Sequence, residues 1–412
     1  EFTMNSKYLV INGGSSSLKF SLYEMPSKEE IISGIVEKIG LEDSFYSLKF
    51  NGEKVEKAKH INNHTDAIKT VLEELLNYKF INDLDEIKGV GHRILHGGEY
   101  FSDSVVVDDD VIEKIESLTE LGPLHIPGEV ACIKSMKEVL PEVKQVAVFD
   151  TAFHQTNPDY NYRYAIPNEF YEKYGVRKYG FHGTSYKYIT NYMKKYYNKD
   201  SVNLIICHVG SGASIAAIKD GKSLATSMEL TPNAGLMMGT RCGNIDASVI
   251  PYLMKQTGKS ADELNDIFNK QSGLLGVSGV SDFRDLLSLI EKGDKNAILA
   301  YNMYKERIIE YISMYYGKLR GKVDAIIFTA GVLENNPTLR GDIVNDISTS
   351  MHVSLNKEVN NNIGRNKKYS QGKISNINSY IDVFVIPTDE ESIILDDTYS
   401  LEKDNKKYMK RK

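Results

Sequence analysis

The sequence is short of cysteine and contains no long apolar run. Its three cysteines, Cys132, Cys207 and Cys242, are odd in number, widely spaced and include no CxxC pair. This spacing opposes a disulfide framework or a zinc knuckle, and it favours a reducing, cytoplasmic location. Apolar runs such as Leu204–Cys207 and Ala325–Phe328 are far shorter than the roughly 20 residues of a membrane-spanning helix. The sequence therefore predicts no membrane segment.

A large excess of either charge is also lacking. The chain has 50 Lys and Arg against 56 Asp and Glu, a net charge of -6. Proteins that bind nucleic acid by electrostatics alone need a basic surface, so this charge opposes a nucleic-acid partner. The basic run 403–412 has no aromatic platform beside it, and we interpret it as a solvated terminal run rather than a nucleic-acid arm.

The remaining composition is that of an ordinary folded protein. Hydrophobic residues make up 41% of the chain and charged residues 26%, which excludes a mostly disordered, collagenous or membrane-embedded protein. A chain of 412 residues is longer than one apolar core usually supports. We therefore expect two domains.

The same short pattern occurs twice, about half a chain apart. The apolar run Tyr8–Ile11 leads into residues 12–17, the first glycine turn, and the stretch 18–23 then alternates apolar and polar residues with a period of two. The run Leu204–Cys207 leads into residues 210–214, the second glycine turn, and a further apolar stretch follows. This recurrence predicts a duplicated domain in which each half opens with a β-hairpin.

Strands and helices alternate between and after the two hairpins. Helical patterns cover Thr65–Asn77, Glu129–Val139 and Asn296–Leu319, and buried strands are predicted at Val146–Phe149, Ala325–Phe328 and Val383–Ile386. Alternation of this kind predicts an α/β architecture in both halves.

The glycine turns have the composition of phosphate-binding loops. The first lacks the GK[ST] ending of a P-loop and precedes a strand rather than a helix, which opposes a P-loop NTPase. Glycines still let backbone N–H groups approach an anion closely. Two such turns on opposed domains are what a nucleotide held in an interdomain cleft would require.

Two arginines lie in glycine-framed segments. Arg93 belongs to Gly91–Gly98, and Arg241 follows Gly239 and Thr240. Because a guanidinium can form paired hydrogen bonds to phosphate or carboxylate oxygens, two such arginines can clamp an anion from two sides. The histidines four apart in Gly91–Gly98 do not suggest zinc, since the flanking glycines oppose a helix and no HExxH glutamate is present.

Two carboxylates and one histidine complete the candidate chemistry. Asp150 ends the predicted strand Val146–Phe149, and Glu390 follows the strand Val383–Ile386 through a short turn. Carboxylates at strand ends are typical magnesium anchors. His182 lies between two glycines, where its ring can reach a transferring group.

These segments together resemble the acetokinase family, within the superfamily of acetate and sugar kinases, heat-shock chaperones and actin. The resemblance extends from Val10 to about Thr398. The matching segments are INGGSSSLKF, GHRILHGGE, GPLHIP, VFDTAFHQT, YGFHGTS, CHVGSGAS, GLMMGTRCGNID, SGLLGVSGVSDFRD, FTAGVLENN and IPTDEE. It implies two duplicated actin-like ATPase-type domains, with mixed sheets flanked by helices, around an interdomain cleft. The implied domains are 4–150 with about 387–402, and 151–386, before the basic run.

The resemblance also implies roles for individual residues. Catalytic roles fall on Asn12, Arg93, Asp150, His182 and Arg241, and metal binding on Asn12 and Glu390. The small acid is expected to contact Arg93, Leu95, Leu124, Phe181 and Pro232. The nucleotide is expected to contact Ser17, Lys19, His208, Gly210, Ser211, Gly212, Asp282, Phe283, Arg284, Gly331, Val332, Leu333, Glu334 and Asn335.

The chain departs from the family's usual residues at four of the matching positions. Ser211 stands where the family usually has asparagine, and Asn244 where it usually has aspartate. Ile126 replaces an asparagine and Leu333 replaces a glycine. These departures bear on how the phosphate donor is held and on nucleotide preference.

The reaction implied by the resemblance is the reversible, magnesium-dependent transfer of a phosphoryl group from ATP to acetate, with manganese as an alternative metal. A carboxylate is already ionised at pH 7, so this acceptor needs no general base. The alternatives are a propionate or butyrate kinase of the same family and a nucleotide-dependent switch like actin or the chaperones. The family also implies a homodimer.

Overall fold

The computed structural model describes residues 6–404, so residues 405–412 of the predicted basic run lie outside the described residues. Contacts divide the described chain into two compact units. The first unit contains residues 6–155 and 389–404, and the second contains residues 156–388. Each unit is built around one β-sheet.

The strands and helices alternate along the described chain. The strands are β1 (Ser6–Gly13), β2 (Leu18–Met25), β3 (Glu29–Glu37), β4 (Phe45–Phe50), β5 (Glu53–Ala58), β6 (Ile87–Ile94), β7 (Val105–Val106), β8 (Lys144–Phe149), β9 (Leu204–Val209), β10 (Ala213–Lys219), β11 (Lys222–Thr226), β12 (Ala325–Thr329), β13 (Gly372–Lys373) and β14 (Asp382–Val385). The helices are α1 (His64–Asn77), α2 (Asp109–Ser117), α3 (Ile126–Val139), α4 (Asp159–Tyr162), α5 (Asn168–Tyr174), α6 (Gly183–Tyr197), α7 (Val249–Thr257), α8 (Ala261–Lys270), α9 (Gly273–Ser278), α10 (Phe283–Glu291), α11 (Lys295–Lys318), α12 (Gly331–Asn335), α13 (Pro337–Met351), α14 (Lys357–Asn361) and α15 (Glu390–Lys403).

The sheet of the first unit is mixed. Its strand order is β5-β4-β3-β2-β1-β6-β8-β7. The strands β1, β6 and β8 run parallel to one another, and all the other neighbours are antiparallel. The carboxyl ends of these three parallel strands therefore lie side by side. The first glycine turn lies at the end of β1, Leu95 follows β6, and Asp150 follows β8.

The sheet of the second unit repeats this plan. Its order is β11-β10-β9-β12-β14-β13, and β9, β12 and β14 are the parallel strands. Taken in this order, its six strands correspond one to one with β3-β2-β1-β6-β8-β7 of the first sheet. Each pair of neighbours has the same parallel or antiparallel direction in the two sheets. The predicted fold class of two duplicated mixed α/β sheets is thereby confirmed, and both predicted hairpins are present as β1–β2 and β9–β10.

The first sheet is covered on both faces. Leu18, Phe20 and Leu22 are buried in a core that includes residues of α1 and α3. Tyr23, on the opposite face of β2, is also buried, because it packs in a cluster with Ile394 of α15. The alternation of apolar and polar residues therefore predicts the strand correctly. It does not show that the second face of β2 is exposed, because α15 covers Tyr23 there.

Local sequence explains where the principal helices begin. Asn63 caps α1 by accepting a hydrogen bond from the N–H of Asp66, and Asp294 caps α11 in the same way. The helix α3 begins at Ile126, three residues before the predicted start, because Pro127 is tolerated in the first turn of a helix. Within residues 6–404, we find no helix long and apolar enough to span a membrane.

Candidate active site

Arg93 and Asp150 are brought together by neighbouring parallel strands. Arg93 lies near the end of β6, and Asp150 directly follows β8. The Nε and Nη2 atoms of Arg93 donate to Oδ1 and Oδ2 of Asp150 over 3.1 and 2.8 Å. Two parallel hydrogen bonds fix the plane of the guanidinium as well as its position. The sequence identified both residues but not their ion pair.

The electrostatics of this pair are set by burial and by further acids. Burial raises the pKa of the Asp150 carboxyl above its ordinary value, and the guanidinium of Arg93 opposes that shift. The carboxylate of Asp150 in turn raises the pKa of Arg93, and Glu390 acts in the same direction. Glu390 is the first residue of α15, directly after the capping residue Asp389. These neighbouring acids therefore favour the charged form that a guanidinium keeps in proteins.

Glu129 is a third acid near this pair and was not identified from the sequence. Its two carboxyl oxygens accept hydrogen bonds from the N–H of Leu95 over 3.1 and 3.2 Å. The side chain is buried, and burial raises its pKa to about 8. The sequence did offer a signal for Glu129. Its neighbours in this turn of the helix are apolar residues or glycine, and a turn of that composition packs in the protein interior together with its carboxyl group.

The first glycine turn is held by contacts from outside the hairpin. The N–H of Gly14 donates to the carbonyl of Ser17 over 2.8 Å, which closes the turn. His64, the first residue of α1, places Nε2 2.8 Å from the carbonyl oxygen of Gly14 and donates to it. Asn12, the first residue of the turn, still belongs to β1, is partly buried, and pairs across the hairpin with the exposed Lys19.

Three residues of the first unit have side-chain oxygens of the kind that a divalent metal such as magnesium binds. Asn12, Asp150 and Glu390 offer amide and carboxylate oxygens, the hard ligands that Mg²⁺ prefers. In residues 6–404 no group of three His, Cys, Asp or Glu side chains forms a metal site. Mg²⁺ usually takes only one or two protein carboxylates and fills its shell with water and substrate phosphates, so these few donors suit it.

The four apolar residues expected to contact the acid differ in exposure. Leu95 is 8% exposed and Leu124 is 65% exposed, and both belong to the first unit. Phe181 is buried and Pro232 is partly buried, and both belong to the second unit. Leu95 packs beside Gly122, where an added methyl group would lie 3.1 Å from its Cδ2 atom.

His182 begins the candidate site of the second unit. It caps α6 with a left-handed backbone, φ 59°, which non-glycine residues adopt rarely. Its ring stacks on that of His208, with centroids 4.0 Å apart. His208 lies on β9, one residue before the end of that strand. The predicted catalytic histidine and the predicted nucleotide-binding histidine are therefore in direct contact.

Each of these two histidines has Nδ1 hydrogen-bonded to a buried serine. The Nδ1 atom of His182 lies 2.8 Å from Oγ of Ser214, which also bonds to the hydroxyl of Tyr186. The Nδ1 atom of His208 lies 2.8 Å from Oγ of Ser185. The sequence analysis missed these supporting residues. The hairpin register offered a signal for one of them, because Ser214 pairs directly with His208 across β9 and β10.

Arg241 is a partly buried arginine whose contacts in the described part of the chain are with uncharged groups. Its Nη1 atom donates to the carbonyl of Pro232 over 3.1 Å and contacts the sulfur of Met238. Among residues 6–404 it forms no ion pair, and burial lowers its pKa. A methyl group on Gly212 would lie 3.6 Å from this Nη1 and 3.5 Å from Nε2 of His182. The two donors therefore converge on the second glycine turn.

The departure at Asn244 has a structural role. Its Oδ1 atom accepts from the N–H of Gly235 over 2.8 Å, and its Nδ2 atom donates to the hydroxyl of Tyr311 over 2.7 Å. An aspartate could accept the first bond but could not donate the second. Asn244 thus ties the segment that follows Arg241 to the long helix α11.

The residues expected around the nucleotide lie on several elements of the second unit. Ser211 is exposed, and Gly210 donates its N–H to the carbonyl of Gly212. Asp282 caps α10 and pairs with the exposed Arg284, whose Nη2 lies 2.9 Å from its Oδ2. Phe283 is buried and packs against Tyr304. Ser17 and Lys19, which were also expected to contact the nucleotide, belong to the first unit.

The segment Gly331–Asn335 forms the short helix α12. Leu333 is fully buried, so the departure from glycine at this position places a leucine in the core. Glu334 accepts a hydrogen bond from the N–H of Thr388, and burial raises its pKa. Asn335 donates to the carbonyl of Gly331. The start of the helix is accessible, because Gly331 is exposed and Val332 is only partly buried.

The chain folds as two equivalent mixed sheets, each of which includes a glycine-turn hairpin. This is the actin-like ATPase fold, a fold class that includes phosphotransferases. The model of the acetokinase family matches residues 7–396. The chain belongs to the acetokinase family, as the sequence predicted.

Individual relatives are similar over nearly the whole chain. The acetate kinase of Geobacillus sp. (strain WCH70) is 48% identical over 399 residues, covering 96% of this chain and 99% of the relative. The acetate kinase of Bacillus subtilis (strain 168) is 48% identical over 401 residues, covering 97% of this chain and 100% of the relative.

Solved structures show the same similarity. The crystal structure of Porphyromonas gingivalis acetate kinase matches with a TM-score of 0.92 at 43% identity, covering 97% of this chain and 100% of that one. A propionate kinase from Francisella tularensis matches with a TM-score of 0.89 at 38% identity, covering 96% and 100%.

Proposed function

We propose that this protein is an acetate kinase, which transfers a phosphoryl group reversibly between ATP and acetate to give ADP and acetyl phosphate. The observation on which this rests is the convergence of Arg241 and His182 on Gly212. A guanidinium with no acidic partner among the described residues is suited to a phosphate, because no internal ion pair has to be broken for it to bind an anion.

In this proposal, Arg241 and His182 stabilise the phosphoryl group during transfer. Negative charge is spread over three equatorial oxygens in that transition state, and fixed donors aimed at them lower its energy without reorganising. Arg241 supplies the cationic group of the pair, and a cationic group in such a position contributes 10³-fold or more in rate, roughly 4 kcal/mol.

Arg93 orients the reacting groups from the first unit. Its ion pair with Asp150 fixes the guanidinium plane, and Arg93 is 33% exposed at its side chain, so one face remains accessible to an acid or phosphate oxygen. Leu95, Leu124, Phe181 and Pro232 contact the methyl group of acetate in this proposal. No general base is assigned, because acetate is ionised at neutral pH.

We propose that Asn12 and Glu390, together with Asp150, would hold a divalent metal, which would be magnesium with manganese as an alternative. When bound, it neutralises phosphate charge and orients the phosphates. The second glycine turn, with His208, then binds the ATP phosphates, while Asp282–Arg284 and Gly331–Asn335 contact adenosine.

We further propose a cytoplasmic homodimer with the domain bounds 4–150 plus about 387–402, and 151–386. Free cysteines support the reducing location, since Cys132, Cys207 and Cys242 form no disulfide. The net charge of -6 opposes a nucleic-acid partner. Light scattering of the purified protein tests the dimer.

The test is a coupled assay with purified protein, ATP, Mg²⁺ and a series of short acids. Acetate-dependent release of ADP with formation of acetyl phosphate is expected, as is ATP formation from acetyl phosphate and ADP. Absence of both reactions contradicts the assignment. ADP release that does not depend on any acid would instead favour a nucleotide-dependent switch.

A propionate kinase is the second candidate, because the similar Francisella tularensis structure is a propionate kinase. Acetate is favoured by the higher identity to the acetate kinases, 48% against 38%. The same assay separates the two, since the acid with the highest kcat/KM identifies the substrate.

A further inference from the structure

The imidazole of His182 is bonded at Nδ1 to one buried hydroxyl, which is in turn bonded to a second. Ser214 and Tyr186 are fully buried, and their hydroxyls bond to each other. Ser214 also lies 2.8 Å from Nδ1 of His182. Ser214 comes from β10, whereas Tyr186 lies four residues after His182 on α6. The ring is therefore fixed by groups from two different elements.

The direction of these hydrogen bonds determines which ring nitrogen bears the proton. If Tyr186 donates to Ser214, the hydroxyl hydrogen of Ser214 points to Nδ1, and the neutral ring must then have its hydrogen on Nε2. A phenol is a stronger donor than an aliphatic hydroxyl and a weaker acceptor, and neutral imidazole nitrogen is a good acceptor. The better pairing is therefore the one in which the hydroxyl of Tyr186 donates to Ser214 and the hydroxyl of Ser214 donates to Nδ1 of His182.

The other nitrogen of the ring faces the second glycine turn. Nε2 of His182 and Nη1 of Arg241 lie 3.5 and 3.6 Å from the point where a methyl group on Gly212 would stand. The ring of His208 stacks on that of His182 with centroids 4.0 Å apart, so a second ring also holds the plane of the His182 imidazole. A neutral ring can donate towards this point only from Nε2–H.

We propose that Ser214 and Tyr186 are positioning residues that hold His182 in the Nε2–H tautomer, so that it donates with Arg241 to an anionic oxygen at the second glycine turn. The proposal rests on the proposed function for the identity of that oxygen, a phosphoryl oxygen of the substrate. It adds two residues outside the set expected from the sequence, and it gives them a role that acts through His182 rather than on substrate.

His208 is built in the same manner. Its Nδ1 atom bonds to Ser185, which lies 2.7 Å from the hydroxyl of Thr388. In both stacked rings the scaffold therefore uses Nδ1 and a serine hydroxyl, supplied by β10 for one ring and by α6 for the other. This crossed arrangement fixes the two rings relative to each other as well as to the sheet.

The first experiment reads the tautomer directly. Long-range ¹H–¹⁵N correlation spectra of protein labelled with ¹⁵N-histidine distinguish the two nitrogens, and the His182→Gln variant identifies the His182 signals by their loss. We expect a protonated Nε2 and an unprotonated Nδ1 in the wild-type protein at pH 8. A ring protonated at Nδ1, whether as the other tautomer or as imidazolium, overturns the proposal without requiring any variant to fold.

The second experiment tests whether the tautomer matters for catalysis. Ser214→Ala should give averaged nitrogen shifts for His182 and lower kcat about tenfold, the effect of one hydrogen bond, with KM for ATP and acetate within about twofold. Tyr186→Phe should change both quantities in the same direction by less. A Ser214→Ala variant with averaged shifts and wild-type kcat overturns the positioning role.

Ser227→Ala is the matched control. Ser227 is also a buried serine beside β10, and its Oγ accepts from the N–H of Ile215 over 2.9 Å rather than touching His182. It should lower thermal stability while leaving the tautomer and kcat unchanged. Wild-type protein without acid-dependent kinase activity contradicts the proposed function, whereas an active enzyme with an Nδ1–H ring contradicts the tautomer proposal alone.

Discussion

Gly128, in the first turn of α3, packs directly on the peptide of Gly14 in the first glycine turn. A methyl group on Gly128 would lie 2.2 Å from the carbonyl oxygen of Gly14 and 2.7 Å from the N–H nitrogen of Ser15. The same carbonyl oxygen accepts the hydrogen bond from His64 of α1. Two helices therefore determine the position of this turn, with no room for a side chain between α3 and the backbone.

Gly128→Ala should displace the first glycine turn, because both atoms it would meet belong to the backbone. We expect kcat/KM to fall at least tenfold and the melting temperature to decrease. The matched control is Gly317→Ala in α11, where an added methyl group meets nothing within 4 Å. That change should stabilise the helix by up to about 1 kcal/mol and preserve activity. Equal activity in the two variants would contradict a role for the turn.

Arg241→Ala should lower kcat by about 10² or more, because it removes charge stabilisation from the transition state. Folding should be retained, since Arg241 has no ion pair among the described residues to lose. Steady-state kinetics and thermal melting measure the two effects. Arg307→Ala is the control, because Arg307 forms only an exposed 3.9 Å ion pair with Glu310. Near-normal kcat in Arg241→Ala would show that this arginine is structural.

Ser211→Asn tests the phosphate-donor contact in the second glycine turn. Asparagine adds an amide donor at an exposed position, and one hydrogen bond to a charged group contributes about 1.5 to 3 kcal/mol at most. We expect KM for ATP to change several-fold without loss of turnover. Initial rates with several phosphoryl donors provide the measurement. Unchanged kinetics with every donor would show that residue 211 does not contact it.

Leu95→Ala tests the acid-binding surface. The resemblance places Leu95 at the acid, where its bulk leaves little room beyond a methyl group, so the wild-type protein should prefer acetate over propionate and use butyrate poorly. One methylene in an apolar site changes kcat/KM by 10 to 200-fold, about 1 to 3 kcal/mol. The variant should therefore raise kcat/KM for propionate relative to acetate.

The control for Leu95→Ala is the ratio of the two acids, because a loss of stability alone would lower both rates equally. Leu95 is largely buried, so its truncation also costs about 2 to 5 kcal/mol of stability, to be followed by thermal melting. An unchanged acid ratio in a folded variant, or a wild-type preference for butyrate, would mean that Leu95 packs only in the core.

Glu129→Gln should alter how stability depends on pH. Burial raises the pKa of Glu129 from 4.5 to about 8, so the folded protein holds a neutral carboxyl that the unfolded chain ionises. The stability from this group is complete below pH 4.5 and is lost as pH rises through 8. Relative to the Gln variant, the wild-type free energy of unfolding should fall by about 3 kcal/mol between pH 5 and pH 8.

Denaturant unfolding of both proteins across this pH range measures the difference. Glutamine retains an acceptor for the N–H of Leu95, so the variant should fold normally and differ mainly in its lack of titration. Parallel pH profiles for the two proteins would show that Glu129 is ionised in the folded state.

Local sequence predicted the elements that contain the candidate residues. The hairpins, the helix starts near Thr65 and Asn296, and the strands before Asp150 and Gly331 follow from apolar periodicity and glycine content over short windows. The early start of α3 was missed because an apolar residue and a proline obscure the first turn of that helix.

The supporting contacts could not be predicted in the same way. Ser214, Tyr186 and Glu129 are ordinary residues in sequence, and each acquires its role through a partner more than 25 residues away. Local signals were available for two of them, in the apolar neighbours of Glu129 in α3 and in the hairpin register that pairs Ser214 with His208. Which of many buried serines meets a histidine depends on how a helix packs on a sheet.

The sequence by itself determined the family, the duplicated α/β class and the identity of the arginines, acids and histidine expected to react, because these depend on residue type and on order along the chain. Only the tertiary structure decided that Arg93 is paired with Asp150 while Arg241 has no acidic partner within residues 6–404, and that Nδ1 of His182 is bound by Ser214. The physical reason is that charge, burial and hydrogen-bond direction are set by neighbours in space, and parallel strands and packed helices bring together residues that are far apart in sequence.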